Sequence, residues 1–172
     1  MELLAKRLIR DIKDFPKEGI VFKDITPVLQ DPTAFREAID RMLEYAKERD
    51  VNAVVGIESR GFIFAAPLAL ALNAAFVPVR KLGKLPGETL RQEYSLEYGT
   101  NTVEMHKDAL KPGQRVLIVD DLLATGGTSA AAAALVEQLG ADVAGCVYLV
   151  ELGFLNGREA LEGYPVHSLI EY

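Results

Sequence analysis

The sequence predicts an α/β domain with a mostly parallel sheet flanked by helices. Three observations predict it. Short apolar runs alternate with helical stretches along the chain, the pattern of βαβ units. The run Val116-Leu117-Ile118-Val119 ends in two carboxylates and a glycine-rich turn, and a helix-forming stretch follows at once. The 172 residues, 49% hydrophobic and 26% charged, are enough for one core, and no repeat or linker divides them. We therefore expect a single domain over 1–172.

Taken in order, Leu3, Leu4, Leu8 and Ile12 fall near helical spacing and predict a helix over about 2–13. Asp31-Pro32 reads as a cap with proline at the first helical position, starting a helix through Phe35, Ile39, Met42, Leu43 and Ala46. Residues 52–57 read as a buried strand, 62–72 as a helix packed on the sheet, and 75–79 as the next strand. The stretch 81–99 is rich in glycine, proline and charge and shows little periodicity before Tyr94, as in a lid or binding loop. From there strand alternation puts Tyr94, Leu96 and Tyr98 on one face of a ribbon. Strands follow over 102–106 and 115–119, a helix over about 127–139, a strand over 143–150, a helical turn near Arg158 and a last strand over 166–170. The alanines at 130–134 allow the helix over 127–139 to pack closely on the sheet.

Charge and composition exclude several classes. The net charge of −6 comes with no basic segment, which argues against a nucleic-acid partner. An enzyme for anionic substrates must then gather its few cations locally. No apolar run approaches the about 18 residues of a membrane span, and the opening residues carry no secretory pattern. The one cysteine, Cys146, sits in an apolar run as a core residue, so the expected address is the cytoplasm. His106 and His167 lie in strand-like surroundings with no metal-ligand spacing and read as structural.

The strongest signal is Asp120-Asp121-Leu122-Leu123-Ala124-Thr125-Gly126-Gly127-Thr128. Two carboxylates stand at the carboxyl end of a buried strand, where open α/β sheets bind ligands. Glycines let backbone N–H groups close around a phosphate, the helix start adds partial positive charge, and Thr125 and Thr128 add hydroxyls. The lysine of a nucleotide-triphosphatase loop is missing, and paired acids are unlike a dinucleotide fingerprint. Acids directly before a phosphate cradle suit a ligand with vicinal hydroxyls beside its phosphate, such as a ribose 5-phosphate. A second strand-to-helix turn, Gly56-Ile57-Glu58-Ser59-Arg60-Gly61, offers a forked guanidinium. The turn Arg80-Lys81-Leu82-Gly83-Lys84 offers three more cations, and four basic side chains facing one anion would offset its charge.

The string from Asp120 to Thr128 resembles the phosphoribosyl-pyrophosphate signature of the type I phosphoribosyltransferases, and its wording is similar to their adenine-specific branch. The resemblance extends from Phe15 to the carboxyl terminus. It implies the type I fold, with a small hood from about 14–27 and 151–170 and a mobile lid over about 81–99. It implies transfer of a phosphoribosyl group to adenine, giving AMP and pyrophosphate. By the same resemblance, Ala124, Thr125, Gly126, Gly127 and Thr128 hold the 5′-phosphate, and Asp120 and Asp121 the ribose hydroxyls. Ser59, Arg60, Lys81 and Lys84 meet pyrophosphate, and Glu58–Ser59 is the family's non-proline cis peptide. Glu97, in Ser95-Leu96-Glu97-Tyr98-Gly99, is the acid–base residue. Val21, Phe22, Lys23 and Leu152 form the base pocket; Lys23 stands where many relatives carry arginine. Mg²⁺ bridged through the substrate, with no direct protein ligand, and a homodimer complete what the family implies. Two rivals share the signature: an enzyme for hypoxanthine, guanine or xanthine, and a non-catalytic regulator that senses phosphoribosyl pyrophosphate and binds DNA. The second lacks room and charge here for a DNA-binding module.

Overall fold

A computed structural model describes residues 2–96 and 98–172. The chain forms two compact units, residues 1–41 and 42–172. The first holds α1 (Leu4–Leu8), β1 (Arg10–Lys13), β2 (Val21–Asp24), α2 (Thr26–Gln30) and the start of α3 (Pro32–Lys47). The helix expected over 2–13 stops at Leu8, and Ile9 is already extended. Residues 10–13 pair antiparallel with 21–24 instead. The reason is cross-strand chemistry that local spacing does not reveal. Arg10 faces Asp24 and Asp11 faces Lys23, with ion pairs of 2.6 and 2.7 Å, and Ile12 faces Phe22. Opposed pairs of this kind contribute about 0.2–1 kcal/mol each, enough to override weak helix propensity. The start of α3 follows the sequence: Asp31 Oδ1 accepts the amides of Thr33 and Ala34, both at 2.9 Å.

The second unit is a sheet with helices. Its elements are β3 (Ala53–Ile57), α4 (Gly61–Leu72), β4 (Ala75–Lys81), β5 (Thr89–Ser95), β6 (Thr100–His106), β7 (Arg115–Leu123), α5 (Gly127–Gln138), β8 (Asp142–Glu151) and β9 (Val166–Glu171). Two 3-10 turns, Gly153–Leu155 and Gly157–Leu161, join the last two strands. The order is β5-β6-β4-β3-β7-β8-β9. Strands β4, β3, β7, β8 and β9 run parallel, while β5 and β6 form an antiparallel hairpin attached to β4. Every residue of β3 is buried, which explains why it reads as a continuous apolar run rather than an alternation. Ala131, Ala132 and Ala133 of α5 are buried in the core with Val55, Ile118 and Cys146, so the alanine run does bring this helix close to the sheet. Burial raises the Cys146 thiol to about 12, and it behaves as a small apolar core group.

The order of connections matters for function. From β3 the chain crosses through α4 to β4 on one side; from β7 it crosses through α5 to β8 on the other. The gap between β3 and β7 is therefore the switch point of the sheet, where the two helices diverge and leave a crevice at the carboxyl edge.

Candidate active site

Register brings the key segments to that edge. Gly56 pairs with Val119 and Ile57 with Val79, so residues 58–60 leave the sheet beside 80–81 and 120–123, which continue as the ends of β4 and β7. A cleft of about 290 Å³ opens there, lined by Glu58, Ser59, Arg60, Lys81, Asp120, Asp121 and Leu122. Beside it lies a cup of about 80 Å³, lined by Asp120 and residues 122–129.

The cup is made by backbone. Gly126 has φ of 82°, a left-handed conformation that turns the chain sharply into α5. The first amides of α5 are left without carbonyl partners from a preceding turn, and the helix dipole adds to their positive character. No basic side chain lines the cup. An anion of phosphate size would be held by N–H groups and by the hydroxyls of Thr125 and Thr128. Buried Ser129 accepts a hydrogen bond from Tyr148 Oη at 2.7 Å, which fixes the helix start to β8.

Strand β7 continues to Leu123, so Asp120 and Asp121 are strand residues, and both line the cleft. Asp121, 5% exposed, accepts Arg60 Nε at 2.5 Å, and its amide donates to Asp120 Oδ1 at 2.8 Å. Burial, and then the neighbouring Asp121 charge, push the Asp120 carboxyl well above its ordinary range. One acid thus pairs with a guanidinium while burial opposes the charge on the other. Gly61 makes this possible. A Cβ at Gly61 would stand 2.9 Å from both the Val119 carbonyl and Asp120 Oδ1, so α4 can start this close to β7 only on glycine.

The basic wall differs from the expectation. Arg80 does not face the cleft as one of four cations. It donates to Glu58 Oε1 at 2.8 Å and to the Lys84 carbonyl at 3.2 Å. That hydrogen bond, with the Lys81 amide on Glu58 Oε2 at 3.1 Å, holds the Glu58 carboxyl below its ordinary range despite burial. Sequence counts the charge on Arg80 but does not show a partner 22 residues away. Lys81 lines the cleft, whereas Lys84 is exposed in the turn outside the lining. The Glu58–Ser59 peptide is cis.

The segment over 81–99 is also more regular than expected. Strand β5 begins at Thr89, and its hairpin with β6 is secured at the root by Glu104. This residue, 2% exposed, accepts the Gly83 amide at 2.9 Å, Thr89 Oγ1 at 3.1 Å and Arg91 Nε at 2.9 Å. Burial opposes its charge, yet the three donors together keep its carboxyl below the ordinary range. Tyr94 faces inward as alternation predicts, and a Cβ at Gly127 would lie 3.3 Å from its ring. Leu96 and Tyr98 do not share that face: β5 ends at Ser95, a turn follows with the Leu96 amide on the Gly99 carbonyl, and both side chains are exposed. Glu97 lies outside the described residues.

The chain resembles known proteins along nearly its whole length. The family model for the phosphoribosyl transferase domain matches residues 27–164. The chain is 60% identical over 173 residues to the adenine phosphoribosyltransferase of Acetivibrio thermocellus, covering 100% of both. It is 58% identical over 167 residues to that of Clostridium perfringens strain 13, covering 97% of each. The crystal structure of the Thermoanaerobacter pseudethanolicus adenine phosphoribosyltransferase superimposes with a TM-score of 0.95 at 56% identity, covering 98% of both chains. The chain belongs to the adenine phosphoribosyltransferase family. A further member, the Saccharomyces cerevisiae enzyme in complex with an imino-altritol bisphosphate and adenine, matches with a TM-score of 0.90 at 45% identity over 96% of each chain.

Against the family's fold, the remaining residues fall as follows. Val21, Phe22 and Lys23 lie on β2 of the first unit. Phe22 meets Phe15 edge to face at 5.2 Å, and Lys23 Nζ pairs with Asp11. Leu152 follows β8 in the second unit, its amide on the Leu123 carbonyl at 2.9 Å. His106 Nε2 bonds the Pro86 carbonyl at 2.8 Å and His167 stacks on Tyr45 at 4.7 Å, both holding structure. Sequence reasoning missed Gly61 and Glu104. The triplet Ser59-Arg60-Gly61 held a cue for the first, since glycine at a helix start marks close backbone approach; nothing local marks the second.

Proposed function

We propose that the chain uses the β3/β7 cleft to transfer the phosphoribosyl group of phosphoribosyl pyrophosphate to adenine, releasing pyrophosphate and forming AMP. One observation carries the reading: a backbone-lined anion cup and a pair of adjacent aspartates share one sheet switch point. In this reading residues 124–128 hold the 5′-phosphate and Asp120 and Asp121 the ribose hydroxyls. Ser59, Arg60, Lys81 and Lys84 take pyrophosphate, and Val21, Phe22, Lys23 and Leu152 the base, within a hood from 14–27 and 151–170. The stretch of about 81–99, which includes β5, acts as the lid, with Glu97 as the acid–base residue. Breaking the bond from C1′ to pyrophosphate leaves an oxocarbenium-like carbon that water would capture. Closure favours the purine nitrogen by excluding water and orienting the reactants.

Mg²⁺ would arrive on the substrate's own oxygens with no direct protein ligand, beside a cleft whose lining includes the oxygens of Ser59, Asp120 and Asp121. When bound, the ion neutralises charge developing on pyrophosphate. A homodimer is supported by α4, which is apolar on all sides and leaves Ile63 37% and Leu70 84% exposed, with Phe76 of β4 at 39%. A cytoplasmic address is supported by the single reduced thiol. No helix of the described residues is long and apolar enough to cross a membrane.

A steady-state assay with Mg²⁺, phosphoribosyl pyrophosphate and each purine base in turn tests the reading. Pyrophosphate release should require adenine. Equal or faster turnover with hypoxanthine, guanine or xanthine would reassign the substrate, and tight binding with no turnover would indicate a sensor.

A further inference from the structure

The phosphate turn does not stand alone. A Cβ at Gly126 would collide with the Gly157 carbonyl and lie 2.9 Å from Ala160 Cβ. A Cβ at Gly157 would collide with the Ala124 carbonyl and lie 3.0 Å from the Leu123 side chain. Two backbones are thus packed glycine against glycine, with the Ala124 carbonyl directed at Gly157. Gly157 is itself buried and lies outside the cup lining. On the near side, the Leu152 amide donates to the Leu123 carbonyl at 2.9 Å.

The chain between these two contacts is clipped shut. Arg158 grips Glu151 with both arms, Nε on Oε1 at 2.8 Å and Nη2 on Oε2 at 2.7 Å, and its Nη1 reaches the Val166 carbonyl at 3.2 Å. The Glu151 side chain is 5% exposed, and the Arg158 hydrogen bond keeps its carboxyl below the ordinary range despite burial. A planar fork on a buried carboxylate fixes orientation as well as distance, which lysine cannot reproduce. Residues 152–157 are therefore held as a closed loop whose far end presses on the phosphate turn.

We propose that Gly157 and the Arg158–Glu151 clip are positioning residues for the phosphate turn: they hold the Ala124 carbonyl away from the cup so that N–H groups face the anion. This rests on the cup being the 5′-phosphate site. The clip does not line the cup and reaches the phosphate only through the turn, although the loop it closes also carries Leu152. A turn left free to rotate would present a carbonyl to the phosphate and lose a charge-assisted hydrogen bond, worth about a tenfold loss in affinity.

Calorimetric titration with ribose 5-phosphate, alongside steady-state kinetics, tests this in the full chain. For Gly157→Ala we expect about tenfold weaker ribose 5-phosphate binding and a matching rise in KM for phosphoribosyl pyrophosphate, because the phosphate is held equally before and during reaction. The change in kcat should be much smaller. Arg158→Lys, which keeps the charge and loses the fork, should shift the same two quantities in the same direction and carries the test if the alanine variant does not fold. Wild-type affinity in either folded variant would overturn the proposal. A general loss of kcat with KM unchanged would also overturn it, since damage to the fold lowers the active fraction without a split. If the unaltered protein itself fails to bind ribose 5-phosphate, the reading of the cup falls first and the clip with it.

Discussion

Asp120 and Asp121 are neighbours in unlike surroundings. Asp121 faces Arg60, whereas burial raises the Asp120 carboxyl. Replacing Asp121 with Asn removes the charge that Arg60 pairs with and turns one of its two acceptor oxygens into a donor, which weakens the proposed ribose contact as well. We expect KM for phosphoribosyl pyrophosphate to rise about tenfold or more, the worth of one charged hydrogen bond; an unchanged KM would detach Asp121 from the sugar. Titration has a definite sign. Glu58, Glu104 and Glu151 sit below their ordinary value of 4.5, and Asp24 is lowered from 3.8 to about 2, chiefly by Thr26. Each contributes stability above its unfolded value that is lost as pH falls through the folded one. Asp120 acts the other way: its contribution is full below 3.8 and is lost as pH rises through its raised folded value. Four groups against one predict a lower urea midpoint at pH 3 than at pH 6, and an equal or higher midpoint would refute the balance. At this scale the sequence shows which groups exist but not their partners. Gly126 and the aspartates were legible because their chemistry is local; Arg80 was misread because Glu58 is reached only through the sheet.

Among elements, the lid hairpin depends on Glu104. Glu104→Ala leaves the Gly83 amide and the Thr89 hydroxyl without their acceptor and frees Arg91. We expect a loss of about 2 kcal/mol in unfolding free energy, since three hydrogen bonds to one buried carboxylate are lost together. Denaturant titration checks this, and a loss below about 0.5 kcal/mol would show that the root holds without it. Most strands and helices could be read from pattern because β3, β7 and β8 are continuous apolar runs and α3 carries its own cap. The failures share a cause. Residues 10–13 and 89–95 are exposed or half-exposed strands whose partners, not their own periodicity, decide their state.

For the molecule as a whole, function follows from strand order. Crossing through α4 one way and α5 the other opens one crevice, and three strand ends deliver the candidate residues to it. That order is not written in any single segment; only the family resemblance supplied it in advance. The apolar outer face of α4 belongs to the same scale. Leu70→Asp should convert a dimer to monomer in sedimentation velocity without unfolding the chain, because the side chain is 84% exposed in the monomer. An unaltered dimer would move the interface elsewhere. The most direct measurement is a crystal structure with AMP bound. The account requires the 5′-phosphate to lie within hydrogen-bonding distance of the amides of residues 124–128, with the ribose hydroxyls on Asp120 and Asp121. A nucleotide lodged at another site, with this cup filled only by solvent, would contradict it.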